Sequence, residues 1–180
     1  MKRSVVWGLA SVAAVGFLCA MVISGALPEH RARVKFEAQG VMTIEPKRID
    51  RVELTRGSAR VSLVRTGPSG WARTGGEALS VPVADRVSLA VQYMHTSGPV
   101  RVMSAEEIAG LPVAEFGLER PQISVELFAG PERVLQANFG GRNPEDMLQY
   151  MALAGREGMY LMSRFIGQEW DAAIDAIQPR

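Results

Sequence analysis

The feature that most constrains this chain is an uncharged, mostly apolar run from Val5 to Leu27, which follows the basic residues Lys2 and Arg3. At about 1.5 Å per residue, a helix of that length crosses a hydrocarbon core of roughly 30 Å. We therefore expect the chain to be attached to a membrane. The roughly 150 residues that follow have the length of a single domain with its own core.

Two interpretations of this N-terminus remain open. Ser24 and Ala26 are small residues of the kind found before a signal-peptide cleavage site, but a signal peptide needs an apolar core of only about 7 to 15 residues. The run here is longer than that. We favour an uncleaved transmembrane anchor over residues 1–27, followed by a connector over 28–48 and an outer domain over 49–180.

The basic residues around the apolar run predict its orientation. Lys2 and Arg3 lie on a very short N-terminal tail, which favours an N-terminus inside the cell. Arg31, Arg33 and Lys35 follow the run and oppose this preference in part. We expect the N-terminus to be cytoplasmic, so that in a bacterium the anchor lies in the inner membrane and the outer domain in the periplasm.

One face of the predicted membrane helix carries small side chains. Gly16, Ala20 and Ser24 are spaced four residues apart, so a helix places them on the same side. Small residues let a second membrane helix approach closely. We therefore predict that this face packs against other membrane protein subunits, with the lipid bilayer as the second partner. Short side chains are also common in any such helix, so the alternative of plain lipid contact stays open.

Composition excludes several classes of function. Lysine and arginine together number 20 against 19 acidic residues, so no basic excess points to nucleic acid. Cys19 is the only cysteine and lies in the apolar run, so the outer domain has no disulfide and no cysteine ligand for a metal. His30 and His95 have no second ligand at a suitable spacing. We predict no metal site and no cofactor.

No catalytic constellation is visible in the sequence. Ser69 lies within a Gly-Pro-Ser-Gly turn, which is unlike the strand-turn-helix elbow of a hydrolase. The glycine pair Gly140-Gly141 is followed by Arg142 and lacks the lysine and hydroxyl residue of a phosphate-binding loop, so a turn is favoured. We predict no catalytic residue and no enzymatic activity.

Local patterns predict an α+β domain that consists of two layers, with antiparallel β-hairpins and a few helices. Alternating apolar residues indicate strands, and apolar residues at helical spacing after Ser80 and Ser163 indicate amphipathic helices. Ser104 and Glu107 form a predicted capping box for a short helix. A helix over 145–154 is the alternative to a strand there. The predicted strands are 49–55, 59–65, 100–103, 123–127, 133–139, 149–153 and 159–162, with a further strand near Val34 to Phe36 and a loop at Gly140, Gly141 and Asn143-Pro144.

The sequence contains one short internal repeat. The segment Val52–Val61 recurs as Val125–Val134 at an offset of 73, with valine, glutamate, leucine, glycine, arginine and valine at matching positions. Such internal similarity suggests a duplicated half-domain. Hairpins also share such patterns without common origin, so both explanations remain open.

The order of several short motifs resembles the bacterial domain of unknown function 4340 family. The match covers roughly Ile49 to Ala176, and its most specific parts are the Gly-Leu-acidic-x-Pro element and the tyrosine that follows it. The residues that carry it are Ile49–Leu54, Leu63–Arg65, Trp71, Pro82–Asp85, Phe116–Pro121, Phe139-Gly140, Tyr150 and Met159–Leu161.

The resemblance implies a membrane-tethered α+β domain outside the cytoplasm, with no known enzymatic activity. Some relatives are attached to transport-related membrane proteins of the gliding-motility type. The leading hypothesis is therefore a non-catalytic, single-pass accessory subunit of a larger membrane complex. The alternative is a periplasmic module that binds a small ligand or an envelope polymer, for which Arg60, Arg65, Arg101 and Arg133 are candidate contacts to an anion.

Overall fold

A computed structural model describes residues 3–23 and 39–178 of the chain. The chain divides into two compact units, Met1–Glu37 and Ala38–Arg180. Ser24, Ala26 and the strand predicted near Val34 to Phe36 lie outside the described residues.

The first unit contains helix α1, Arg3–Ile23. Its segment Val6–Ile23 has a mean hydropathy of 2.3 over 18 residues, which makes it long and apolar enough to cross a membrane. A signal sequence near the N-terminus would satisfy the same criterion. The predicted apolar helix is therefore present, and either function fits it.

The second unit is built on one antiparallel sheet of eight strands in the order β3-β2-β1-β5-β6-β7-β8-β4. Consecutive hairpins supply most of the pairings, and β4 crosses to the far edge to pair with β8. This confirms the predicted α+β class with antiparallel hairpins. The strands are β1 Arg51–Arg56, β2 Ala59–Arg65, β3 Trp71–Arg73, β4 Arg101–Met103, β5 Ile123–Ala129, β6 Glu132–Arg142, β7 Leu148–Leu153 and β8 Met159–Ser163.

Two helices cover one face of the sheet, α2 (Val81–Thr96) and α4 (Arg164–Ile177). Ser80 and Ser163 precede them as predicted, although neither side chain makes a capping hydrogen bond among the described residues. Both helices bury one apolar stripe and contact each other. The buried residues are Ala84, Val87, Ala90, Val91 and Met94 in α2, and Ile166, Gly167, Trp170, Ala173, Ile174 and Ile177 in α4.

Short helical turns complete the domain. The predicted capping box is confirmed in α3, Ala105–Ile108, where the Glu107 backbone N–H donates to the Ser104 hydroxyl and the Ser104 N–H donates to the Glu107 carboxylate. Two 3₁₀ turns lie at Pro46–Arg48 and Val113–Phe116. Neither was predicted, because three or four residues are too few to show a period.

The end of the predicted connector belongs to the domain core. Val41 and Met42 are buried although they precede residue 49. The backbone N–H groups of Gly40 and Met42 donate to the carbonyls of His95 and Met94, each at 2.9 Å. These bonds satisfy two carbonyl groups that the last turn of α2 leaves free.

Two local predictions differ from the structure, and one strand was not predicted. The predicted loop at Gly140-Gly141 is wrong, because β6 continues through both glycines to Arg142. The alternative helix over 145–154 is also wrong, since β7 pairs with β6 and β8 there. Strand β3 was not predicted, since it has only three residues and begins at the buried Trp71.

Candidate functional site

The described part of α1 is apolar on every side. At 100° per residue its large side chains point around the whole circumference, and those described are exposed except Met21, which is partly buried. An amphipathic surface helix would show one polar face, which α1 lacks. The exposed large side chains are Val6, Trp7, Val12, Val15, Phe17, Leu18, Val22 and Ile23.

The predicted helix-packing face is partly described. Gly16 and Ala20 lie one turn apart on the same side of α1, and both are exposed. A β-carbon at Gly16 would have no atom within 4 Å, so this side is open to a neighbouring helix. Ser24, the third residue of the face, lies outside the described residues.

In the second unit, the sheet face opposite α2 and α4 carries a row of paired charges. Glu53 of β1 and Glu126 of β5 are register partners. Glu53 accepts hydrogen bonds from Arg51 at 2.5 Å and from Arg60, and the bond to Glu53 raises the pKa of Arg60. Glu126 is bonded to Arg133 at 2.9 Å. These carboxylates therefore neutralise nearby arginines.

Arg65 of β2 connects two other backbone segments, the Pro46–Ile49 turn and the loop at Pro68. Its guanidinium donates to the carbonyls of Ile49 at 2.6 Å and of Pro46 and Pro68 at 3.0 Å each, and it stacks 4.3 Å above the Trp71 ring. Desolvation by burial lowers the pKa of Arg65. The role of Arg65 is therefore structural.

Arg101, the last of the four arginines that the sequence nominated, is bonded to Glu107 at 2.8 Å. The pKa of Glu107 is lowered by the hydrogen bond from the Ser104 backbone and then by Arg101. Each nominated arginine thus has an acceptor within the domain. Arg60 and Arg65 lie on β2, Arg101 on β4 and Arg133 on β6, and the four side chains bind different acceptors rather than a single anion site.

The Gly140-Gly141 pair faces backbone and leaves no room for a phosphate. A β-carbon at Gly140 would collide with the carbonyl oxygen of Phe116, and Gly117, at φ +68°, lies against Gly141. Phe116 then packs edge-on against Tyr150, with ring centroids 4.7 Å apart. The backbone of Phe116–Leu118 therefore crosses directly over the backbone of Phe139–Gly141, although the two segments are far apart in the sequence.

A groove of about 510 Å³ lies between the β6–β7 turn and the first turn of α4. Met147 and Phe165 are 66% and 42% exposed there. Asp146, at φ +56°, binds Arg142 at 3.0 Å and also Arg164. Its pKa is lowered, mainly by the hydrogen bond from Arg142. No sequence pattern indicates this groove, because its walls come from two segments that β7 and β8 separate along the chain.

A second concavity of about 420 Å³ lies between the β3–α2 loop and the end of α4. Arg73 and Glu77 contribute polar groups to it, and Leu79 and Val83 contribute apolar surface. The Arg73 guanidinium donates to the carbonyl of Ile177, the last residue of α4. This bond ties the edge strand to the helix layer.

The remaining candidate residues are the histidines, considered as metal ligands, and the buried tryptophans Trp71 and Trp170. His95 Nδ1 lies 2.9 Å from the Met42 carbonyl oxygen, and His30 lies outside the described residues. Among residues 3–23 and 39–178, no group of three His, Cys, Asp or Glu side chains could hold a metal ion. Trp71 donates to Ser88 at 2.9 Å, whereas the buried indole N–H of Trp170 finds no acceptor in the described part of the chain.

Comparison with protein-family models, with curated proteins and with solved structures finds no match.

Proposed function

We propose that this chain is a single-pass membrane protein that acts as a non-catalytic accessory subunit of a larger membrane complex. The observation that carries the proposal is α1, whose apolar side chains are exposed on every side. Such a surface is stable only in lipid or against other apolar helices. The folded second unit would then serve protein contact outside the cytoplasm.

Membrane attachment can be tested by fractionation. We expect a C-terminally tagged full-length chain to remain in the membrane pellet after alkaline carbonate extraction, at the mass of the complete sequence. A soluble product that has lost its first residues would mean that α1 is a cleaved signal.

Helix docking can be tested at the small-residue face. Gly16→Leu would place a large side chain where a partner helix approaches, and we expect it to lower recovery of the complex at least threefold. Ala14→Leu is the matched control, since Ala14 lies on the far side of α1. Equal recovery of both variants would contradict docking through this face.

We further propose that the protein lies in the bacterial inner membrane, with its N-terminus in the cytoplasm and its folded domain in the periplasm. We also propose that it belongs to the domain of unknown function 4340 family. The charge pattern of Lys2 and Arg3 supports the orientation. A Cys19→Ser chain with a single cysteine at the exposed Thr43 would test it. We expect a membrane-impermeant maleimide to label this cysteine in cells whose outer membrane alone is permeabilised.

A second candidate function is a tethered binding module for a small ligand or an envelope polymer. The groove at Met147 and Phe165 favours it, because the groove is concave and partly apolar and has polar groups at its rim. A thermal-shift screen of envelope glycans and small amphiphiles would test this. A hit that Phe165→Ala abolishes supports it, and a screen without hits removes its support.

A further inference from the structure

The two hairpins that echo each other in sequence are also neighbours in space, and their pairing is symmetric. Val52 pairs with Leu127 and Leu54 pairs with Val125, while Glu53 pairs with its own counterpart Glu126. In a two-fold interface, if residue i contacts residue j′, then j contacts i′. The β1–β5 pairing satisfies this relation when the second hairpin is taken as the copy of the first.

The two hairpins also match in detail. Gly57 and Gly130 open two-residue turns at φ +59° and +61°, a conformation that favours glycine. Each hairpin carries the same ion pair, Glu53 with Arg60 and Glu126 with Arg133. The β1–β5 pairing is the seam between the two halves. The strand order is symmetric about this seam, with β1, β2 and β3 on one side and β5, β6 and β7 on the other.

Helices α2 and α4 are also equivalent to each other, at an offset of 83 residues. This offset superimposes Ser80, which precedes α2, on Ser163, which precedes α4. Every buried residue of α2 then falls on a buried residue of α4. The pairs are Ala84 with Gly167, Val87 with Trp170, Ala90 with Ala173, Val91 with Ile174, and Met94 with Ile177. In the first half the place of β8 is taken by a single antiparallel bridge of Ala78 with Ala72 of β3. The larger offset arises because β6, β7 and β8 are longer than β2, β3 and this bridge.

One contact between the helices fixes the axis. Arg86 and Glu169 occupy equivalent positions and form an ion pair at 3.1 Å. Contact between a residue and its own counterpart occurs only at a two-fold axis. Glu53 with Glu126 marks this axis in the sheet, and Arg86 with Glu169 marks it in the helix layer.

We infer that the outer domain is a fused pseudo-dimer of two β-β-β-α halves, whose seam is an isologous protein–protein interface with a second copy of the same half as its partner. A chance likeness of two hairpins does not account for this, because the helices obey the same axis. The inference concerns the outer domain alone and does not depend on the proposed membrane function.

The test exchanges a large and a small side chain between equivalent positions in the full-length chain in detergent. Trp170→Val leaves a cavity, and Val87→Trp overfills the core. We expect each single change to lower the thermal midpoint by more than about 8 °C, as judged by far-UV circular dichroism. Because Val87 and Trp170 lie one residue from the axis pair, V87W/W170V moves the indole across the axis, and we expect it to recover at least half of the summed loss.

The control double variant, V91W/W170V, places the indole at a buried position that is not equivalent to Trp170. We expect its losses to add. If V87W/W170V loses as much as the sum of its single changes, or fails to fold as the control does, the pseudo-dimer is refuted.

Discussion

Glu53 and Glu126 face each other as register partners on β1 and β5, and each carboxylate binds the arginine seven residues further along the chain. Like charges directly opposite each other destabilise a sheet, so the arginines are needed to neutralise this pair. The two sites are unequal, since the Glu53 side chain is 11% exposed and binds Arg51 as well, whereas that of Glu126 is 21% exposed.

This inequality predicts different costs for the same substitution. Glu53→Gln leaves two arginines, Arg51 and Arg60, without the carboxylate that they share, and the Glu53 side chain is only 11% exposed, so we expect it to lower the free energy of unfolding by about 1–3 kcal/mol. Glu126→Gln leaves only Arg133 without its carboxylate, and the Glu126 side chain is more exposed at 21%, so we expect a loss below about 1 kcal/mol. Urea unfolding followed by circular dichroism measures both. Equal losses would contradict the difference in burial.

Arg65 should not be replaceable by lysine. Arg65→Lys removes the planar donors that reach the carbonyls of Ile49 and Pro46 and weakens the stacking on Trp71. We expect a loss of about 2 kcal/mol in the free energy of unfolding. Arg48→Lys is the matched control, because Arg48 is an exposed arginine of the Pro46–Arg48 turn that Arg65 contacts. We expect it to change the free energy of unfolding by no more than about 0.5 kcal/mol. A tolerated Arg65→Lys would mean that these bonds contribute little.

The adjacent glycines Gly140 and Gly141 should respond differently to alanine. A β-carbon at Gly140 collides with the Phe116 carbonyl, whereas at Gly141 the same oxygen lies 3.5 Å away, an ordinary contact. We expect Gly140→Ala to cost about 2 kcal/mol or more and Gly141→Ala less than about 1 kcal/mol. Thermal unfolding compares the two directly. The reverse order would show that β6 and the Phe116 segment do not cross as described.

Asp146 should make stability depend on acidity. Its pKa is held below the ordinary 3.8 by the hydrogen bond from Arg142, so the folded state prefers the carboxylate more than the unfolded chain does. The stabilisation is therefore complete above the unfolded pKa and is lost as the pH falls through the folded pKa. We expect the urea midpoints of the wild type and Asp146→Asn to differ by a constant amount above about pH 5 and to converge below pH 3.8. A difference that does not begin to shrink as the pH falls below 3.8 would contradict this ion pair.

Much of the domain could be predicted because its elements have strong local patterns. The β1–β2 hairpin follows from alternation around Gly57, and α4 follows from the apolar spacing of Ile166, Trp170 and Ile174. The position of β4 beside β8 could not be predicted, since strand pairing across the chain leaves no local signal.

Glycine caused the main error. A glycine pair favours a turn and also permits close approach of another backbone, and the sequence alone does not separate the two. Gly140-Gly141 was predicted as a loop although it lies in β6 under Phe116. The groove at Met147 and Phe165 was missed for a different reason, since it forms only when the sheet brings the β6–β7 turn against the start of α4.

The most direct measurement is the size of the assembly that contains this chain. A C-terminally tagged full-length protein, expressed at its native level and solubilised in mild detergent, would be resolved on a native gel and its partners identified by mass spectrometry. We expect a stoichiometric membrane complex much larger than the 19.5 kDa chain. Recovery as a free monomer from the membrane would contradict the role of an accessory subunit.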